Sequence, residues 1–139
     1  MSEGARGLVL AHASFAAAMI SAVRKIAGDS ADALLPLSND GCSPETLLEN
    51  VRGALGDRPA VIFTDLGSGS CAFAARRTLL DRPATAIVSG VNLPVLLDFV
   101  FHRELPLDEL VERLVRKGKE GISGHTPAEA IVADRSAAG

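Results

Sequence analysis

Two ionisable residues each sit where an apolar run ends and a helix-like stretch begins. His12 follows GLVLA, residues 7–11, and Asp65 follows AVIFT, residues 60–64. An imidazole can act as a nucleophile or a base. A carboxylate accepting from one ring nitrogen fixes the tautomer and leaves the other nitrogen with a free lone pair. After Asp65 come Leu66, Gly67, Ser68, Gly69, Ser70 and Cys71, mostly small residues that open a helix. A helix N-terminus offers free N–H groups and partial positive charge, and so suits an anion. One such N-terminus follows Gly69 and another follows His12. An imidazole flanked by anion-binding backbone suits a histidine that carries a phosphoryl group, with Asp65 steering the ring and stabilising its positive form. A lone histidine is more often structural, so spacing alone leaves both roles open for His12. His102, beside Arg103 and Glu104, and His125, in the polar tail, read as surface residues.

Other chemistries fit the loop less well. Gly67, Gly69 and Ala72 match the form G-x-G-x-x-A, but that dinucleotide fingerprint belongs in the first strand–helix unit with an acidic residue ending the next strand. Here the loop lies in the third unit, and the next strand ends in Ser89-Gly90. The phosphate-cradling pattern ending in G-K-[ST] and the hydrolase elbow G-x-S-x-G are both absent from the sequence. A plainer reading remains, in which small residues make a tight turn and Ser70 caps a helix.

The chemistry requires elements that bring His12 and Asp65 together. GLVLA reads as a buried strand, and FAAAMISAVRKIA, residues 15–27, as a helix started by Ser14 and stopped by Gly28. ALLPLS at 33–38 is a weaker strand. Ser43-Pro44 opens a second helix ending near Leu55. AVIFT is a strand, and a helix runs from about Ser70 to Leu80. ATAIVS at 84–89 is a fourth strand, followed by helices at about 95–103 and 107–118, the second capped by Asp108. A short strand is expected near Ala130–Ala133. The alternation predicts an α/β fold, a flavodoxin-like doubly wound and mainly parallel sheet in the order 2-1-3-4 with helices on both faces. That order sets strand 1 beside strand 3, and the crevice above their C-terminal ends is where such sheets bind ligands.

Bulk properties narrow the classes. With 139 residues, 47% hydrophobic and 22% charged, the chain suits one domain with one real core. Aromatics make up 4%, without Trp or Tyr, so the core is aliphatic. A net charge of −3 and no Lys/Arg stripe argue against nucleic-acid binding. No apolar run reaches the ~18 residues of a membrane span. The start, MSEGARGLVL, is unlike a signal peptide, so a cytoplasmic location is expected. Cys42 and Cys71 lack metal-type spacing and read as free thiols rather than a disulfide.

His12, Asp65 and the GVNLP stretch together give the chain a resemblance to a known family, the mannose-family EIIA domains of the bacterial phosphoenolpyruvate-dependent sugar phosphotransferase system (PTS). Three landmarks carry it: the strand ending in His12 before an Ala-rich helix, Thr64-Asp65-Leu66 followed by Gly69-Ser70, and Ser89-Gly90-Val91-Asn92-Leu93-Pro94. LDELVERLVRKGKEGI is similar to the family's last helix. The likeness covers about residues 7 to 122, leaving 123–139 as a C-terminal tail. The resemblance implies a phosphohistidine carrier that takes a phosphoryl group from HPr on His12 and passes it to a IIB component for sugar uptake. Asp65 would be the orienting carboxylate and Ser70, with Gly69, would bind the phosphoryl oxygens. It implies no metal and no cofactor, association with a membrane permease rather than insertion, and a homodimer exchanging a C-terminal strand, here near Ala130–Ala133, which would add an antiparallel strand to the sheet. Two other roles fit the same domain: a regulatory module signalling through phosphorylated His12, and a phosphoryl donor to a dihydroxyacetone kinase. Leu66 and Phe15 are candidates for an apolar rim or for core. Where the family often has Gly after the histidine, this chain has Ala13. Where the family loop usually carries an aromatic, two glycines, Ser and Pro, this chain has Gly67, Ser68, Gly69, Ser70 and Cys71, and Phe73 replaces a common Asn.

Overall fold

The computed structural model of the protein describes residues 4–129. The element order is β1 (Arg6–Ala11), α1 (Phe15–Ala27), a 3-10 segment (Gly28–Ala33), β2 (Leu34–Ser38), α2 (Pro44–Leu55), β3 (Ala60–Thr64), α3 (Ser70–Leu79), β4 (Thr85–Ser89), α4 (Leu93–Phe101) and α5 (Leu107–Glu120). The strands form one sheet in the order β2-β1-β3-β4, and every neighbouring pair is parallel. Parallel strands are covered on both faces, which is why β1 and β3 are apolar almost throughout.

Alternation along the strands feeds two cores. Val9, Ala11, Val61, Phe63 and Val88 face α1, α4 and α5, where they meet Ile20, Val23, Leu96, Phe99, Leu110 and Leu114. Leu8, Leu10, Ala60 and Ile62 face α2 and α3, meeting Leu47, Val51, Leu55, Ala74 and Ala75. Phe63 and Phe99 pack edge to face at 5.1 Å, using two of the few aromatics to tie β3 to α4. Gly7 lies where β2 and α4 close in. A Cβ there would stand 2.7 Å from Leu34 Cδ2 and 2.7 Å from Phe99 Cε2.

At the helix ends one expectation holds and several are corrected. Ser43 caps α2 through its side chain, accepting from the Thr46 amide at 3.1 Å. Ser14 makes no side-chain cap, because its backbone (φ −94°, ψ 11°) is not in the extended region that aims a capping oxygen at the first turn. Ser70 does not cap α3 either. Gly69 holds the cap position, with φ +91°, and Ser70 is the first helical residue. Helix α4 begins earlier than expected, capped by Asn92, and Asp108 lies within the first turn of α5, whose cap position is Pro106. The 3-10 segment had no distinct sequence signal. Cys42 and Cys71 are free thiols, as expected. The strand expected near Ala130–Ala133 lies outside the described residues. Among the described residues, no helix is long and apolar enough to cross a membrane.

Candidate functional site

The sheet register places the site. Leu10 pairs with Thr64, so the residues just beyond these strand ends leave the sheet side by side. Asp65 Oδ2 accepts from the His12 backbone N–H at 2.9 Å and stands 2.8 Å from His12 Nδ1, joining residues 53 positions apart. Asp65 Oδ1 accepts from the Leu66 amide at 3.0 Å. The carboxylate is therefore aimed by its own loop and gripped by both the backbone and the ring of His12. Partial burial pushes the Asp65 carboxyl up, but the hydrogen bonds from the His12 amide and ring, the imidazole charge and the Leu66 amide more than offset it. The net result lies below the usual value of 3.8. The His12 side chain keeps 45% of its surface exposed, against 13% for Asp65, so the ring is fixed from below and open above.

Neighbouring strands brace the loop. The buried Thr64 hydroxyl donates to Leu66 O at 2.8 Å and lies 2.9 Å from Ser89 Oγ, while Thr64 O accepts from the Val91 amide at 3.1 Å. Arg76 donates to Gly67 O at 3.3 Å. On the other side, the Asn39 backbone N–H donates to Ala11 O at 3.2 Å, and Asn39 Nδ2 donates to Ser70 Oγ at 3.0 Å. Ser70 is thus drawn toward the β2 side of the crevice, its hydroxyl proton left to donate elsewhere.

Residues 7–115 match the EIIA-man family, described as "PTS system fructose IIA component". The chain belongs to the mannose-family EIIA domains. It is 31% identical over 88 residues to the PTS system mannose-specific EIIAB component of Escherichia coli (strain K12), covering 59% of this chain and 27% of that relative. The chain therefore spans only about 27% of the length of the curated relatives it matches. Among solved structures, it is similar to the mannose/sorbose specific IIA subunit from Enterococcus faecalis, with TM-score 0.78, 21% identity and coverage of 89% of this chain and 96% of that one. It is also similar to the EIIA component from Streptococcus agalactiae, with TM-score 0.79, 22% identity and coverage of 86% and 95%. At these identities the likeness concerns the fold, and it agrees with the 2-1-3-4 sheet.

The EIIA domain shows what each landmark does. The GVNLP stretch is a clasp: Asn92 Oδ1 accepts from the Val95 amide at 3.2 Å, and Asn92 Nδ2 donates to Gly118 O at 3.0 Å. It ties the start of α4 to the end of α5. Ala13, which follows His12, has φ +50°, the left-handed region that favours Gly, so this chain holds a strained residue at the turn. Phe15 and Leu66 are exposed, at 36% and 55%, as is Phe73 at 53%, so none of the three belongs to the core. Cys71 is fully buried beneath the loop. Desolvation, then the charge of Asp65, pushes its thiol up to about 11, against a hydrogen bond with Ser70. His102 is half-buried, with Nδ1 2.8 Å from Asp98 O at the end of α4, and His125 is exposed. Neither lies in the contacts that join His12 to Asp65. Asn39 had no sequence signal, since its link to Ser70 exists only once β2 lies beside β1.

Proposed function

We propose that this EIIA domain is a phosphohistidine carrier, with Nε2 of His12 taking a phosphoryl group from HPr and passing it to a IIB component. The Asp65 carboxylate at 2.8 Å from Nδ1 carries the reading. With Asp65 ionised, the ring proton resides on Nδ1 and Nε2 keeps its lone pair. In-line attack by that pair forms the Nε2–P bond as the donor's P–N bond breaks, and the electron pair of the broken bond returns to the donor imidazole. The His12 ring becomes cationic and Asp65 stabilises it. Transfer onward reverses these changes: the acceptor nitrogen attacks phosphorus and His12 regains its lone pair. Such a transfer rests on positioning and charge stabilisation. Ser70 and the first-turn N–H groups of α3 after Gly69 supply donors for the phosphoryl oxygens, with Asn39 orienting the serine hydroxyl.

Exposed Phe15, Leu66 and Phe73 fit a face covered by a partner during transfer, which would keep water from the reactive phosphoramidate. Incubation with phosphoenolpyruvate, enzyme I and HPr, followed by intact-mass measurement at neutral or alkaline pH, tests the proposal. One added phosphoryl group, dependent on HPr and lost on acidification, is the expected result. No added mass in the complete mixture would refute it.

A further inference from the structure

The contact between His12 and Asp65 has a third neighbour. One donor atom from each of His12, Asp65 and Cys71 lies within 4.8 Å of the other two, with the histidine exposed, the aspartate partly covered and the cysteine buried as a floor. We propose that His12 Nδ1, Asp65 Oδ2 and Cys71 Sγ form a binding site for a thiophilic divalent cation of the zinc class, and that the bound ion switches the carrier off.

The donor set is one nitrogen, one oxygen and one sulfur, a mixture that suits zinc rather than magnesium or calcium, which prefer oxygen alone. Bonds of about 2.0–2.3 Å to three such donors place them roughly 3–4 Å apart around a tetrahedral ion, with a fourth position left for water. The nitrogen–oxygen pair stands at 2.8 Å and the three donors lie within 4.8 Å of one another, so binding requires that pair to open and the thiol to close in. Helix α3 begins at Ser70, so the buried Cys71 lies in its first turn, directly after the loop that carries Asp65.

The consequence for chemistry follows from proton placement. Asp65 holds the ring proton on Nδ1. A cation bonded to Nδ1 uses the lone pair there, so the proton of the neutral ring moves to Nε2. Cys71 binds as thiolate and releases its proton to solvent. The nucleophilic lone pair of Nε2 is then gone, and the carboxylate that would stabilise the phosphorylated ring is bound to metal. The metal site stands on geometry alone, while its inhibitory effect rests on the carrier reading proposed above.

Cobalt(II) serves as a spectroscopic probe. Added to the full chain, it should give a sulfur-to-cobalt charge-transfer band in the near ultraviolet. The band should persist in Cys42→Ala and disappear in Cys71→Ala. Zinc should lower phosphoryl uptake from phosphorylated HPr by up to about 10⁴-fold, the scale associated with a histidine held in the wrong tautomer. A chelator should restore uptake, and Cys71→Ala should be unaffected by zinc. Absence of the sulfur band, or its survival in Cys71→Ala, would overturn the site. A sulfur band with uptake undiminished by zinc would overturn the switch. If the wild type accepts no phosphoryl group in metal-free buffer, the carrier reading fails and the cobalt spectrum still decides the site.

Discussion

Asp65 Oδ2 holds His12 twice, through the backbone amide at 2.9 Å and through Nδ1 at 2.8 Å. The first contact fixes where the histidine leaves β1, and the second fixes which ring nitrogen carries the proton. Replacing Asp65 by Asn keeps the shape but allows either amide face toward the ring, so the tautomer is no longer imposed. Asp65→Asn should slow phosphoryl transfer by about 10²–10⁴-fold with the fold intact, the range associated with losing a positioned acid–base partner. Rapid-quench measurement of uptake from phosphorylated HPr checks this, with circular dichroism to verify folding.

The same pair sets an acid limit. The Asp65 carboxyl lies below its ordinary 3.8 in the folded chain, so its contribution to stability is present in full above 3.8 and is lost as pH falls through the folded value. Denaturant midpoints measured from neutral to acid pH should therefore fall more steeply below pH 3.8 for the wild type than for Asp65→Asn. Equal slopes would mean the contact contributes nothing to folding.

Ser70 and Asn39 should act in series. Ser70→Ala removes the proposed donor to the phosphoryl oxygens and should slow transfer by about tenfold, the equivalent of a hydrogen bond of ~1.4 kcal/mol. Asn39→Ala leaves the hydroxyl in place but loosens it, so a smaller loss is expected. The double variant should be no slower than Ser70→Ala alone, because the Asn39 side chain acts only through the serine. Additive losses would show that Asn39 contributes by another route.

Ala13 carries a left-handed backbone beside His12, with φ +50°. A non-glycine residue there costs roughly 1–2 kcal/mol, partly balanced by the greater unfolded-state freedom of glycine. Ala13→Gly should raise stability by about 0.5–1 kcal/mol in urea titrations. A loss of stability would mean that the Ala13 methyl makes contacts that outweigh the strain.

Much of the fold was legible because the strands are short, apolar and separated by amphipathic stretches. The 2-1-3-4 order then made a prediction from residues far apart in sequence, that His12 and Asp65 converge. What escaped the sequence depends on local angles or on tertiary neighbours. Ser43 was readable as a cap because Pro44 fixes the start of α2. Ser14 and Ser70 have the right residue type but the wrong backbone, one near-helical and the other already inside its helix, behind a glycine that alone tolerates φ +91°. Asn39 enters the surroundings of the site only through packing, across the β1–β2 edge, and its sequence neighbours give no hint of it. Cys71 lies in the loop the sequence singles out, but that its thiol stands close to His12 and Asp65 depends on the fold.

The most direct test of the central claim is nitrogen-15 NMR of the histidine rings before and after phosphorylation. His12 in the free protein should be protonated on Nδ1, and after reaction with phosphorylated HPr the phosphoryl group should be on Nε2 of the same ring while Nδ1 keeps its proton. A phosphoryl group on Nδ1, or on any residue other than His12, would contradict it.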